Sequence, residues 1–220
     1  RADNQKFLDN LASTCILVGM LAERDADRTR KTLLEATHKE IYRHGFQAAS
    51  LKRILDQTGL TKGALYHHFP NKKALGFAVV DELLREMVED DWLRPLKAAD
   101  NPIDCLQERL AKFAEKADEE DLLLGCPVNN LALEMSPVDE GFRQCINRIY
   151  DRWREVLAEA LKRGQSGGFV RVDIDPEQTS TFIVAAMAGS RSLAKSAQSG
   201  ALLESCSSSL MEYWESLRPE

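Results

Sequence analysis

Gly59 stands between two short segments whose apolar residues each fall on one side of a helix, and no other feature restricts the fold as much. Upstream, Leu51, Ile54 and Leu55 share a face, with Ser50 ahead of them as a cap. Downstream, Thr61 is placed to cap a helix of Lys62 to Phe69 that buries Leu65 and Phe69 at i, i+4. Glycine adopts positive φ without a Cβ penalty, so the spacing predicts a helix to Thr58, a tight turn and a second helix. The outer side of that second helix carries Lys62, Ala64, Tyr66 and His67, groups suited to phosphates or base edges. These are the ingredients of a helix-turn-helix, with the motif at residues 50–69.

The charge distribution agrees. The 220 residues carry a net charge of −6, which on its own argues against a nucleic-acid partner. Residues 28–75, however, hold ten Lys/Arg (28, 30, 31, 39, 43, 52, 53, 62, 72, 73) against three acids (35, 40, 56). That local +7 leaves −13 for the remainder. A compact basic module on an acidic body fits a DNA-reading unit beside one that does not touch DNA.

Ahead of the motif, Thr29 to His44 reads as a helix with Leu33, Leu34, Thr37 and Ile41 inward and Gly45 as its stop. Behind it, Asn71 caps a helix from Lys72 to about Trp92, with Leu75, Val79, Leu83 and Met87 at i+4. Pro95 and Asp100-Asn101-Pro102 are expected to end it. Ile103 to Ala117 continues the pattern through Leu106, Leu110 and Phe113, and a short helix spans about Val128 to Met135. Ser136 with Pro137 reads as the cap of a long helix to Arg163 that buries Phe142, Ile146, Ile149, Trp153 and Val156. Val170, Val172 and Ile174 alternate, but with no partner strand they read as an extended connector. Asp175-Pro176 opens a helix to about Ser199, Gly200 breaks it, and residues 201–217 form the last helix. The expected fold is all-α, about nine helices, with a three-helix DNA-binding domain at 28–75 and a second domain at 76–220.

Residues 1–27 read as a frayed extension or added sequence, with a natural start at Met20. Arg1 and Lys6 ahead of an apolar run evoke a signal peptide, but Asp3 and Asp9 in the would-be basic region argue against one. No span of eighteen apolar residues crosses a membrane. Five scattered cysteines (15, 105, 126, 145, 206) without zinc spacing imply a reducing, cytoplasmic setting and neither a metal nor another cofactor. All four histidines (38, 44, 67, 68) lie in the basic module, so no Cys-His or Ser-His pair is expected in the acidic domain, which argues against an enzyme.

The run Thr61-Lys62-Gly63-Ala64-Leu65-Tyr66-His67-His68-Phe69-Pro70-Asn71-Lys72, with Gly45, Phe46, Ser50 and the Ile54, Gly59, Leu60 spacing, resembles the TetR family of bacterial transcriptional repressors. The resemblance covers about residues 28–75. It implies a homodimer through the last two helices (about 176–199 and 201–217), a double-stranded palindromic operator, and release by a small-molecule effector. It also implies base-facing positions at Lys52, Lys62 and Ala64, and phosphate contacts at Ser50, Thr61, Tyr66, His67 and Lys72. An effector pocket is expected between the Lys72–Trp92 helix and the helices from Ile103 to Arg163, with Leu83, Met87, Trp92, Phe113, Ile146, Tyr150 and Trp153 as its lining. Cys126, between Gly125 and Pro127 at a helix start where N–H groups favour a thiolate, resembles the sensing position of family members that respond to electrophiles or oxidants.

Overall fold

Helices form wherever the apolar residues repeat at three and four in the computed structural model, which describes residues 25–116 and 119–220. The reading of residues 1–24, and the inward role of Ala117, lie outside the described residues. The first helix (α1, residues 25–44) begins at or before Asp25, four residues ahead of the expected Thr29, and buries Leu33, Leu34, Thr37 and Ile41. It stops at Gly45, whose φ is 79°.

The motif forms as its caps dictate. In α2 (Leu51–Thr58) the Ser50 hydroxyl accepts the Arg53 N–H at 3.4 Å, and Gly59 turns the chain at φ 66°. In α3 (Lys62–His68) Thr61 Oγ accepts the Ala64 N–H at 3.1 Å. α3 ends one residue before the expected Phe69, because Pro70 pushes the residue before it out of helical space and Phe69 sits at φ −135°. Asn71 then caps α4 through the Ala74 N–H at 2.8 Å.

α4 departs most from expectation. It runs from Lys72 to Ala98, past Trp92 and through Pro95. Two stretches, Val79–Leu84 and Glu89–Leu93, are π-helical, so the Arg85 and Arg94 N–H groups bond five residues back, to Val80 and Glu89. The second wide turn moves aside the carbonyl that a proline ring would strike in a regular helix. The wide turns also set the buried face. A regular helix drifts about 40° every four residues, and the extra residue in each wide turn takes that drift back. Val80, Leu84, Val88, Trp92 and Leu96 therefore stay buried at a strict spacing of four, and Leu83 and Met87 are left half-buried.

The acidic body follows: α5 (Pro102–Lys116), a short α6 (Glu119–Leu124) that the sequence did not announce, α7 (Pro127–Met135), α8 (Glu140–Ser166), α9 (Pro176–Ala197) and α10 (Gly200–Glu215). All nine expected helices are present among the described residues, and no strand is found there. Two caps differ. α8 is capped by Asp139, not Ser136, because Ser136-Pro137-Val138 closes a turn onto the Met135 carbonyl and leaves Asp139 to accept the Gly141 and Phe142 N–H groups. The break between α9 and α10 falls on Gln198 (φ 49°), whose amide donates to the Leu123 and Lys195 carbonyls, while Gly200 begins α10. The 170–175 stretch is the expected connector, joined to the chain end by one bond from the Arg171 N–H to the Leu217 carbonyl.

Gly76 marks where the basic module meets the body. It is buried in α4, and the rings of Phe46 and Phe142 cross over it with centroids 4.5 Å apart.

Candidate functional site

Two regions gather the sequence-predicted residues, one on the face of α2 and α3 and one inside the helical body. Lys52, Lys62 and Tyr66 border the same shallow notch, floored by Leu51, Leu55 and Leu65. The Lys62 ammonium lies 5.8 Å from the Tyr66 ring centroid, and Tyr66 is 44% exposed despite its size. His67 points to solvent and Ala64 is half-buried, leaving a low spot between the larger groups. Lys52 is solvated but sits 3.1 Å from the Asp56 carboxylate. Ser50 and Thr61 use their hydroxyls as caps. Lys72 is half-buried. Its ammonium donates to the Gln47 carbonyl at 2.9 Å beside the Phe46 ring, and burial pushes it below the usual lysine range.

One acid of the basic module is internal. The Glu40 side chain is 1% exposed and accepts from the Ser50 N–H (2.9 Å) and Arg53 Nε (2.7 Å). Burial raises its carboxyl, but those two donors and the nearby Arg53 and His44 outweigh burial and hold it below the ordinary value. A carboxyl lowered in the folded state contributes stability above its unfolded pKa of about 4.3, and that contribution is lost as pH falls through the lowered value. Glu40→Gln should therefore cost about 1.5–3 kcal/mol at neutral pH. Thermal melts should show wild type and variant converging below about pH 4; a constant gap down to pH 2.5 would contradict the charge assignment.

The module is fastened to the body at several points. The Glu134 carboxylate on α7 accepts the Phe46 and Gln47 backbone N–H groups, each at 2.8 Å. Arg43 pairs with Glu120, and Arg30 on α1 pairs with Glu82 on α4. The Gly125 carbonyl takes two donors at 2.6 Å, the Tyr42 hydroxyl from α1 and the Arg191 guanidinium from α9.

Beside Gly125 lies a cavity of about 260 Å³. Of the predicted lining, Met87, Trp92, Phe113, Cys126, Tyr150 and Trp153 are on its wall. Leu83 and Ile146 are not. The wide turns of α4 carry Leu83 away from the wall, and Ile146, 1% exposed, belongs to the packed core. The wall also extends further than expected. α1 contributes His38 and Tyr42, α5 contributes Arg109 and Lys112, and α9 and α10 contribute residues such as Arg191 and Leu203. The chain thus brings a histidine of the basic module to the same cavity as Cys126, which sequence separation had kept apart. A signal for Arg109 was present: it sits within the α5 apolar stripe at i+3 from Leu106 and i−4 from Phe113. His38 and Tyr42 likewise sit one residue beyond Thr37 and Ile41.

Several polar features mark this cavity. The Tyr150 hydroxyl donates to Asn129 at 3.3 Å; burial, with the Cys126 sulfur nearby, pushes its ionisation far above the usual range. Tyr150 is therefore a neutral donor. Arg109 Nε and Trp153 Nε1 are buried with no acceptor among the described residues, an arrangement worth about 1–3 kcal/mol of instability for each group. Cys126 caps α7 by backbone position alone, without a side-chain bond. No group of three or more metal-ligating side chains occurs among the described residues.

Known proteins share this architecture. Residues 33–79 match the family model "Bacterial regulatory proteins, tetR family", and residues 102–209 match "Transcriptional regulator LmrA/YxaF-like, C-terminal domain". An uncharacterised helix-turn-helix transcriptional regulator from Lactococcus lactis, encoded in the lacX 3′ region, is 30% identical over 177 residues. The match covers 80% of this chain and 88% of that protein. The transcriptional repressor DhaR of Mycobacterium sp. strain GP1 is 26% identical over 160 residues, covering 73% and 79%. Among solved structures, a TetR transcriptional regulator from Chloroflexus aurantiacus superposes with a TM-score of 0.75 at 25% identity, covering 86% and 96% of the two chains. With its helix-turn-helix, its cavity-bearing helical body and these relatives, the chain belongs to the TetR family of bacterial transcriptional regulators.

Proposed function

We propose that the protein is a cytoplasmic, dimeric repressor that holds a palindromic operator and lets it go when a small molecule fills the cavity. The observation that carries this reading is the shared wall: His38 and Tyr42 from α1 line the same cavity as α4, α5, α7, α8, α9 and α10. An occupant therefore touches the DNA-reading unit and the body at once, and can bias their relative position if it binds the two arrangements unequally.

In this reading residues 28–75 are the DNA-binding domain and 76–220 the effector and dimer domain. Lys52, Lys62 and Ala64 face bases, where lysine reaches guanine O6 and N7. Ser50, Thr61, Tyr66 and His67 hold phosphates, which position the helix without reading sequence. Lys72 joins them as a phosphate contact with the ammonium hydrogens not given to the Gln47 carbonyl. The dimer forms through α9 and α10. Phe182 (53% exposed) and Leu193 (56%) stand on α9 beside small residues Ala185, Ala188 and Gly189, and Phe182 stacks edge-on against Tyr213 of α10. Such apolar exposure in a row suits a second copy.

Selection from random duplex DNA, followed by footprinting, should return a palindrome with half-sites about 34–36 Å apart. Lys62→Ala should weaken that site by about 10–100-fold and relax one base position, whereas Tyr66→Phe should weaken all sequences alike and, since it removes no charge, leave the salt slope unchanged. Recovery of no enriched sequence by the purified dimer would rule the reading out. A thiol-switch reading centred on Cys126 has only the residue's place in the wall, since no cationic side chain bonds its sulfur among the described residues.

A further inference from the structure

We propose that the cavity takes an aromatic weak acid in its anionic form, an arylcarboxylate or a phenolate, with Arg109 as its counter-charge. This rests on the reading of the cavity as the effector site and names the class of effector.

The flat apolar surfaces needed for an aromatic body are in place. The Trp92 and Trp153 rings lie 5.8 Å apart at 35°, and Phe113 and Tyr150 complete the wall. The charges around them are not equivalent. Lys112 is neutralised by Glu108. Arg191 donates to the Gly125 carbonyl and lies 4.8 Å from the Phe113 ring centroid. Arg109 has no carboxylate partner among the described residues, and its Nε is shut away from water without an acceptor.

Its sequence position is equally pointed. Arg109 occupies the inward stripe of α5, between Leu106, Leu110 and Phe113, where a cation kept only for solvation would not be placed. A guanidinium whose Nε is buried without an acceptor is completed by an anion, and its fork geometry suits a carboxylate. Tyr150 closes the same wall as a neutral phenol whose hydroxyl hydrogen goes to Asn129 at 3.3 Å, so it sets no negative charge against the anion and leaves the counter-charge to Arg109. The acid among the described lining residues, Asp91, is exposed, where solvent screens it from the interior.

The test uses the purified full chain and three probes of one shape: 2-naphthoate, 2-naphthalenemethanol and 2-naphthylmethylamine. Titration calorimetry near neutral pH should show the carboxylate binding wild type at least about tenfold more tightly than the alcohol, as expected for one charge-assisted contact. Arg109→Gln should bring the two within about twofold while leaving the alcohol's affinity in place, and Arg109→Lys should retain part of the preference. Equal binding of acid and alcohol to wild type, tighter binding of the amine, an undiminished preference in Arg109→Gln, or no binding by any probe would each overturn the assignment. If Arg109→Gln does not fold by thermal melting, the wild-type ranking and Arg109→Lys decide.

Displacement of a selected operator separates this proposal from the one beneath it. Arg109-dependent binding of naphthoate with the operator still held keeps the ligand class and defeats effector release. Release by the alcohol with no gain from the carboxylate keeps release and defeats the ligand class.

Discussion

Glu134→Ala should lower the melting temperature by roughly 4–12 °C and greatly speed amide exchange at Phe46 and Gln47. One carboxylate on α7 accepts both backbone N–H groups at 2.8 Å, and it is the point where the body holds the loop between α1 and α2. Bonds to a charged acceptor contribute about 1.5–3 kcal/mol each, and water recovers part of that at the exposed Gln47. A net loss of about 2–3 kcal/mol gives the stated shift for a chain of this size. Glu134→Gln, which keeps one acceptor oxygen and brings a donor against an N–H, should fall between. The same variant should weaken operator binding, because the reading helices lose their fixed seat. A Glu134→Ala protein that melts with wild type would show that the loop is positioned by other contacts.

Gly76→Ala should be the second large effect, and its sign is the informative part. In an ordinary helix interior, alanine is favoured over glycine by about 0.5–1 kcal/mol. Here a Cβ would overlap the Phe46 ring and lie 2.9 Å from Phe142 Cζ. Phe46 has little room to retreat, since it packs on Phe142 on one side and under the Lys72 ammonium at 5.0 Å on another. Overpacking of this kind costs about 1–3 kcal/mol, enough to reverse the usual preference. Calorimetric melting should therefore show Gly76→Ala below wild type. Phe46→Leu in the same chain should recover part of the loss in a double-mutant cycle, and strict additivity of the two changes would count against the clash.

What the sequence revealed depends on how local the cause was. Ser50, Gly59, Thr61 and Asn71 each act within three or four residues, so the motif and its caps were readable in advance. α4 was not, because Pro95 is a stop signal unless a wide turn precedes it, and nothing in Glu89-Asp90-Asp91-Trp92-Leu93 announces one. The α8 cap was misplaced by three residues because Ser136-Pro137 has the composition of a helix start, and only the turn it closes onto the Met135 carbonyl hands the cap to Asp139.

The cavity divides the same way. Trp92, Phe113, Tyr150 and Trp153 were anticipated as inward aromatics. Tyr42 and His38 were missed because charge segregation gave all of residues 28–75 to DNA, while α1 turns one side toward the body. Arg109 was missed because a lone arginine in an apolar stripe is visible only when one asks what would neutralise it.

The Gly125 carbonyl has two lone pairs, and Tyr42 and Arg191 occupy both. The Tyr42 hydroxyl has one hydrogen, so an acceptor atom entering the cavity can take it only by drawing it from that carbonyl, whereas Arg191 has further N–H donors and can meet a second acceptor while keeping Gly125. Two ligands that fill the same space can thus differ in effect: one that claims the Tyr42 hydrogen loosens α1 from the body, and one that meets Arg191 leaves the junction whole.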